Sequence, residues 1–253
     1  MPHDLPVRRP TQSDELLADL ANTGAALLGA VTGQAQLLEL VGALGAAVVP
    51  HRDSEPDGVT LIEDRDKHDA AFAGFTRLPL IPHTDRSGVA DPPNLLVTAC
   101  GREPTTAGET ILVDGRAVYW DLAQHAPDAL RALSTPRSAL FGGADGYLGS
   151  VFESAERGTI AIRFRHDPLV RFGPRAAPHI PDMMAAIERH AIRVPVRVGV
   201  GYILDNRRWL HGRLGYEGPR LMYRITATAR QGTIASGFSP DDKCAAASAG
   251  PRS

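Results

Sequence analysis

The sequence predicts a mainly β protein, a β-sandwich or jelly roll that carries added helices. From residue 78 onward, short runs of β-branched and apolar residues alternate with turn residues, a pattern typical of many short strands. Helical spacing is confined to the first 45 residues and to three later interruptions. The 253 residues contain no internal repeat and no linker. We therefore expect one domain over residues 1–235, followed by a disordered tail, 236–253, that is rich in Ala, Ser, Gly and Asp.

The amino-terminal part is predicted to be helical, with strands only after it. Residues 13–43 show helical spacing, and Ser13 is a suitable cap for the first segment. A second helix is expected over residues 34–44, ending at a glycine. Residues 46–49 and 59–62 are predicted to be short strands, the second of them after a turn.

The rest of the chain is predicted to consist of strands that helices interrupt. Asp114 and Pro181 are plausible start signals for two of these helices. The predicted strands are residues 95–100, 110–113, 159–165, 194–198, 202–205 and 221–228, and the predicted helices are residues 116–124, 127–133 and 181–190.

The composition argues against nucleic acid and membranes as partners. The net charge is −2 and the isoelectric point is near 6.5, so the chain has no basic field to hold a polyanion. No apolar run approaches the roughly 18 residues that a transmembrane helix needs, and the first residues lack the pattern of an export signal. Cys100 and Cys244 are the only cysteines, which favours a reduced, cytoplasmic setting. The oligomeric state is left open.

Two short motifs in the chain combine a histidine with a carboxylate two residues later. They are His83 with Asp85, and His51 with Asp53. Side chains at these positions of an extended strand point to the same side, so either pair offers two metal ligands. Nine histidines and 29 acidic residues give about one such match by chance, so context must decide. His51 runs into a turn and has no further partner motif, which favours a solvated strand end.

The pair at His83 and Asp85 has a third partner further along the chain. His211 follows a predicted strand and lies 128 positions after His83 (211 minus 83). In a rolled sheet, residues that far apart readily become neighbours. Two histidines and one carboxylate suit a ferrous ion held on one face, with the opposite face open for oxygen chemistry.

Two arginines follow the second histidine on one predicted strand. Arg220 and Arg224 are four residues apart, so both face the same side. Arginines that point inward from an apolar strand are costly unless they meet an anion. A guanidinium matches a carboxylate in two-point contact, which is what a dicarboxylate cosubstrate demands. Thr110 is placed to add a hydroxyl to the same anion.

At these residues the chain resembles the taurine dioxygenase and clavaminate synthase-like (TauD/TfdA) family of iron(II)- and 2-oxoglutarate-dependent oxygenases. The resemblance covers most of residues 78–229. It implies a double-stranded β-helix, which is a cupin-like jelly-roll core with helical additions. It also implies that His83, Asp85 and His211 hold the iron. By the same resemblance, Arg220 and Thr110 bind the distal carboxylate of 2-oxoglutarate, and Arg224 meets an anionic group of the substrate.

The resemblance further implies the reaction and its cosubstrates. Iron(II), 2-oxoglutarate and dioxygen would support hydroxylation of a small molecule, such as an amino acid or a related carboxylate in a biosynthetic pathway. The same site also serves desaturation, cyclisation or epimerisation in such enzymes. Asp85 argues against halogenation, because halogenating relatives have a small residue at that position. Arg163 and Arg165 are weaker candidates for an anionic substrate.

Two other classes of protein remain as alternatives. A zinc-dependent hydrolase or a cupin-like isomerase would use the same three ligands without 2-oxoglutarate, and Arg220 and Thr110 count against it. A non-catalytic binding protein that kept the fold is the other alternative, and the complete set of ligands counts against that.

Overall fold

The structure is a computed structural model that describes residues 5–66, 70–155, 158–230, 234 and 236–241. Its strands are β1 (Val7–Arg8), β2 (Ala25–Leu28), β3 (Ala47–Val48), β4 (Thr60–Ile62), β5 (Leu80–His83), β6 (Leu95–Arg102), β7 (Thr106–Ala107), β8 (Thr110–Asp114), β9 (Ala139–Phe141), β10 (Tyr147–Gly149), β11 (Phe152–Ser154), β12 (Ile160–Ile162), β13 (Val170–Phe172), β14 (Ile192–Val194), β15 (Gly201–Asp205), β16 (Trp209–Arg213), β17 (Tyr216–Glu217) and β18 (Leu221–Thr228). Its helices are α1 (Ser13–Thr23), α2 (Gln34–Ala43), α3 (Gly115–His125), α4 (Pro127–Leu133) and α5 (Ile180–Arg189).

Seven strands form the larger sheet, in the order β1-β2-β15-β6-β18-β3, with β4 also paired to β18. Neighbouring strands are antiparallel except β1 and β2. In β6, Leu95, Val97 and Ala99 pack against the buried leucines of α1 and α2. Thr98, which lies between them in sequence, faces a cavity on the other side. The two amino-terminal helices therefore cover one face of this sheet and leave the opposite face to form the cavity wall.

Four antiparallel strands, β14-β8-β16-β5, form the smaller sheet. Val113 and Leu210 of this sheet pack with apolar residues of α3, α4 and α5. From its other face, Leu112 packs with Leu96 and Leu204 of the larger sheet. The two sheets thus lie against each other, each covered by helices on its outer face. This mainly β architecture with added helices agrees with the coarse fold class that the sequence predicts.

Several predicted elements are confirmed and others are wrong. Strands β6, β8, β15 and β18 and helices α3, α4 and α5 lie where the sequence placed them, and the Asp114 side chain accepts the Arg116 N–H at the start of α3. Ala25–Leu28 was predicted to be helical and is strand β2. Gly24, with φ +71°, ends α1, and β2 then pairs with β1 and β15. The strand predicted over residues 194–198 is wrong beyond Val194, because Pro195 has no N–H to donate.

The predicted disordered tail starts too early. Phe238, 3% exposed, packs in the core beside α3 and exchanges two backbone hydrogen bonds with Ile160. The Gly237 N–H also donates to the buried Asp205 carboxylate at 2.7 Å. The remainder of the predicted tail, 242–253, lies outside the described residues, and so does Cys244. Cys100 is buried and free. In the part of the chain that the structure describes, no helix has the length and apolarity to cross a membrane.

Candidate metal and cosubstrate site

A cavity of about 590 Å³ opens between the two sheets. Its wall includes residues from both sheets and from the loops that join them. All six residues that the sequence singled out for the site lie on this wall: His83, Asp85, Thr110, His211, Arg220 and Arg224.

His83 and His211 lie side by side on paired strands. They are directly opposite each other in the register of β5 and β16, and their ring centroids are 4.4 Å apart. Gly212 permits this pairing, because a Cβ there would lie 2.4 Å from the Leu80 carbonyl oxygen. The antiparallel pairing therefore brings together two imidazoles that are 128 positions apart in the sequence.

His211 is buried and His83 is partly buried, and both are in a state that suits metal binding. His83 Nδ1 lies 2.9 Å from the Ile81 carbonyl oxygen, which only accepts, so this nitrogen carries the proton and Nε2 keeps its lone pair. His211 Nδ1 is buried and has no hydrogen-bond partner among the described residues. Burial lowers the pKa of His83, and burial together with His83 lowers the pKa of His211 to about 3. At neutral pH both rings are therefore neutral and can donate a lone pair to a metal.

The Asp85 carboxylate is buried beside Arg224. The two Asp85 oxygens lie 3.2 Å and 3.4 Å from Arg224 Nη1. Burial opposes ionisation of Asp85, but the Arg224 guanidinium and the two histidines outweigh it and hold its pKa at about 2. The carboxylate is therefore an anion over the whole physiological pH range.

The three candidate ligands share one cavity but are not arranged as a closed metal cluster. Among the described residues, no three His, Cys, Asp or Glu side chains are already grouped to hold an ion. The carboxylate of Asp85 is engaged by Arg224 instead. The donor set still fits a divalent metal, because two neutral imidazoles and one carboxylate are the ligands that such an ion prefers. The Asp85 Oδ2 atom has no hydrogen-bond partner among the described residues, so it is the carboxylate oxygen left for an ion.

Arg220 is a buried cation without an anionic partner. It is 6% exposed, and no carboxylate of the described residues lies within ion-pair distance of it. Its Nε has no hydrogen-bond partner there either, and the guanidinium lies over the Tyr216 ring at 5.3 Å. Burial lowers the pKa of Arg220, although a guanidinium remains charged at neutral pH. A buried, unpaired cation on a cavity wall is suited to an anionic ligand.

Arg213 is a second buried arginine on the wall, which the sequence analysis did not assign. It is 4% exposed, and it donates to the carbonyls of Ala73 and Thr76. Burial and the neighbouring Arg220 lower its pKa to about 10. Arg213 is two residues after His211 on the same strand. Alternate residues of a strand face the same side, so the sequence could have placed Arg213 on the cavity wall with His211. The two arginines make this end of the cavity strongly cationic.

His51 also lines the cavity, contrary to the prediction of a solvated strand end. Its side chain is 26% exposed, and its Nδ1 lies 3.2 Å from both the backbone N and the carboxylate of Asp53. Burial, followed by Arg224, lowers the pKa of His51, so its ring is neutral at neutral pH. The only indication of this position in the sequence is the histidine-carboxylate motif itself. No second motif accompanies it, so the sequence did not identify His51 as a cavity residue.

The two weaker arginine candidates have other contacts. Arg163 is absent from the cavity wall and donates instead to the carbonyls of Ser87, Val89 and Ala90. Arg165 lies on the wall, but Asp167 accepts three hydrogen bonds from it. Neither guanidinium is therefore free in the way that Arg220 is.

Comparison with solved structures defines the class of fold. Asparagine oxygenase matches with a TM-score of 0.69 and 18% identity, over 91% of this chain and 84% of that one. Its complex with Fe(II), 2S,3S-3-hydroxyasparagine and succinate matches with a TM-score of 0.68 and 17% identity, over 89% and 83%. Non-heme iron oxygenase OrfP, in complex with Fe and alpha-ketoglutaric acid, matches with a TM-score of 0.64 and 18% identity, over 86% and 78%. The chain has the fold of these oxygenases.

The family follows from the sequence of nearly the whole chain. Residues 2–226 match the model of the family described as taurine catabolism dioxygenase TauD, TfdA family. The chain therefore belongs to the TauD/TfdA family. This confirms the resemblance inferred from the motifs, and with it the class of enzyme, an iron(II)- and 2-oxoglutarate-dependent dioxygenase. No curated protein matches the chain.

Proposed function

We propose that this enzyme hydroxylates a small molecule, an amino acid or a related carboxylate, with iron(II), 2-oxoglutarate and dioxygen. His83, Asp85 and His211 hold the iron, Arg220 and Thr110 bind 2-oxoglutarate, and Arg224 meets the substrate. One observation carries the proposal: a buried, unpaired guanidinium shares a cavity with two neutral imidazoles and a carboxylate. The chain then forms one double-stranded β-helix domain whose core extends to Phe238, and the free Cys100 supports a cytoplasmic setting.

The protein contributes the ligand side chains and the cavity wall around them. When bound, the iron with its cosubstrates supplies the oxidation of an unactivated C–H bond. His83, Asp85 and His211 would hold the iron, and 2-oxoglutarate and dioxygen would supply the oxidising chemistry there. His83 is oriented by its hydrogen bond to Ile81, and the pairing of β5 with β16 sets its distance from His211. No separate general base is needed for this chemistry.

Arg220 supplies the charge that 2-oxoglutarate requires at its distal end. Thr110 lies opposite Arg213 in the register of β8 and β16, at the same cationic end of the cavity. A hydroxyl and a guanidinium together provide two-point recognition of a carboxylate. A hydrolase or isomerase without 2-oxoglutarate would leave this buried cation unpaired, which is the argument against that alternative.

Arg224 has a role that depends on the metal. Its Nη1 lies 3.2 Å from an Asp85 oxygen on the cavity wall. An ion bound to the Asp85 carboxylate would compete for this negative charge, which leaves the Arg224 guanidinium for an anionic group of the substrate.

The amino acid class is supported by two structural neighbours. Structures of asparagine oxygenase and of OrfP contain hydroxylated forms of asparagine and of arginine, respectively. The nearby His51 offers a neutral imidazole nitrogen to a polar substrate group. Desaturation, cyclisation and epimerisation remain outcomes that the same site supports.

Anaerobic titration of the iron(II)-loaded protein with 2-oxoglutarate tests the proposal. We expect a visible charge-transfer absorption that saturates at one equivalent, and succinate formation when free amino acids and their simple derivatives are screened in air. Zinc-loaded protein is the matched control and should show neither. Absence of the absorption from the iron(II) protein would rule out 2-oxoglutarate as cosubstrate and favour the hydrolase or isomerase.

A further inference from the structure

Asp85 lies in a stretch of backbone that strand pairing does not hold. The pairing of β5 with β16 reaches His83, and Asp85 follows two residues later. The next residue, Arg86, has φ +54°, a left-handed conformation that is uncommon for a residue other than glycine. Other contacts must therefore fix the direction in which the Asp85 side chain leaves the backbone.

The Asn206 side chain contacts both polar groups of the Asp85 backbone. Its Oδ1 accepts the Asp85 N–H at 2.7 Å, and its Nδ2 donates to the Asp85 carbonyl at 3.0 Å. The same Nδ2 donates to the Pro93 carbonyl at 2.8 Å. Asn206 is 2% exposed, so these contacts have no competition from water. The Asn206 amide thus holds the Asp85 backbone through both its oxygen and its nitrogen. It also connects Asp85 to Pro93, at the far end of the same loop.

Asn206 also links Asp85 to the strand that carries His211. It lies between β15 and β16, and its own N–H donates to the Asn94 carbonyl at 2.9 Å. His211 follows five residues later. The middle of the Asp85 loop is held separately, because Arg163 donates to the carbonyls at Ser87, Val89 and Ala90.

We propose that Asn206 is a positioning residue that fixes the Asp85 backbone beside the strand of His211, so that the carboxylate can bind a metal together with that histidine. This inference rests on the proposed function, since it takes Asp85 as a metal ligand. Asn206 does not touch the metal. Without the amide, the backbone of Asp85 loses two hydrogen bonds. Metal binding then has to fix the Asp85 backbone as well as compete with Arg224 for the carboxylate.

Mn(II) affinity tests the proposal without turnover. The variants are Asn206→Ala, which removes the amide, and Asn206→Leu, which removes it but keeps the volume. Asn94→Ala is the matched control, because it removes an amide at the end of the same loop, whose Oδ1 accepts the Ala229 N–H, and keeps the Asn94 carbonyl that accepts the Asn206 N–H. The dissociation constant is measured from the electron paramagnetic resonance signal of free Mn(II), well below the unfolding temperature of each variant. A second set carries Asp85→Ala in addition.

We expect both Asn206 variants to bind Mn(II) about 10- to 100-fold more weakly, as for other residues that orient a metal ligand. Asn94→Ala should stay within about threefold of the parent. In the Asp85→Ala background the loss caused by Asn206→Ala should disappear, since the two residues act through one interaction. Unchanged affinity in either folded variant, or an equal loss in the Asp85→Ala background, overturns the proposal.

The remaining outcomes are also decisive. If neither Asn206 variant folds, Asn206 serves general stability and the specific role is wrong. If the parent protein binds no Mn(II), the metal site itself fails, which contradicts the proposed function and not merely the role of Asn206.

Discussion

Replacing Arg220 with methionine should affect stability and cosubstrate binding in opposite directions. The guanidinium is 6% exposed and has no carboxylate partner among the described residues. Burying a charge costs several kcal/mol per ion, and water in the cavity reduces this cost. Removing the charge relieves the part of the cost that remains. Methionine has a similar length and fills the same space. We therefore expect the free energy of unfolding of the ligand-free variant to be unchanged, or raised by about 1–4 kcal/mol.

Binding of 2-oxoglutarate should weaken strongly in the same variant. A buried carboxylate that loses its charged partner costs about 2–5 kcal/mol. At about 1.4 kcal/mol for each tenfold change, this raises the dissociation constant about 30-fold to several-thousand-fold. The constant is read from the charge-transfer absorption during anaerobic titration, and the stability from urea unfolding of ligand-free protein.

Arg171→Met is the matched control for this prediction. Arg171 lies on β13 and is exposed, so its loss should change neither quantity appreciably. An Arg220→Met protein that binds 2-oxoglutarate like the parent refutes the assignment. A loss of more than about 2 kcal/mol in stability, the range typical of broken buried networks, would show that Arg220 has a structural partner instead.

Three further predictions concern the metal, the pH response and the carboxyl-terminal segment. Asp85→Ala should abolish hydroxylation by weakening iron binding, and full activity in a succinate assay would exclude Asp85 as a ligand. The pKa of His211 is about 3 in the folded protein and 6.5 in the reference state. Between these values the unfolded chain binds more protons, so stability should fall as the pH falls. The urea midpoint of metal-free protein, measured from pH 7 to 4, should fall with the pH. This dependence on pH should be weaker in His211→Gln. An equal dependence in the variant contradicts the pKa shift. Phe238→Ala should lower the free energy of unfolding by about 3–5 kcal/mol, because this ring is buried in the core. A change below about 1 kcal/mol in urea unfolding would show that the segment does not pack there.

The residues of the site were predictable where chemistry imposes a short, regular spacing. His83 is the last residue of β5 and Asp85 lies two residues beyond it, whereas Arg224 lies on β18 and Arg220 just before that strand. All four side chains line the cavity, although only His83 and Arg224 lie within strands and follow the period of two. His211 was found on the same wall because a site of this kind was expected to take one more ligand from a separate strand.

Other features depend on the way in which distant segments meet. Asp85 and Arg224 are 139 positions apart, and only the rolled sheets bring them into contact. The contact of Asn206 with the Asp85 backbone likewise joins residues that are 121 positions apart. His51 belonged to a motif that occurs by chance about once in such a chain.

The misassigned strand β2 has a different cause. Ala25–Leu28 is a run of four apolar residues, which fits a buried helix turn and a buried strand equally well. The choice is made by hydrogen bonding to β15 on one side and β1 on the other. Neither partner is near enough in sequence to be recognised from local pattern alone.

An anaerobic crystal structure of the protein with iron(II) and 2-oxoglutarate tests the central claim most directly. We expect the metal to be bound by His83, Asp85 and His211, with the distal carboxylate of 2-oxoglutarate on Arg220 and the Arg224 guanidinium released from Asp85. A metal bound elsewhere, or an Asp85 carboxylate that stays with Arg224 while iron is present, would contradict the account.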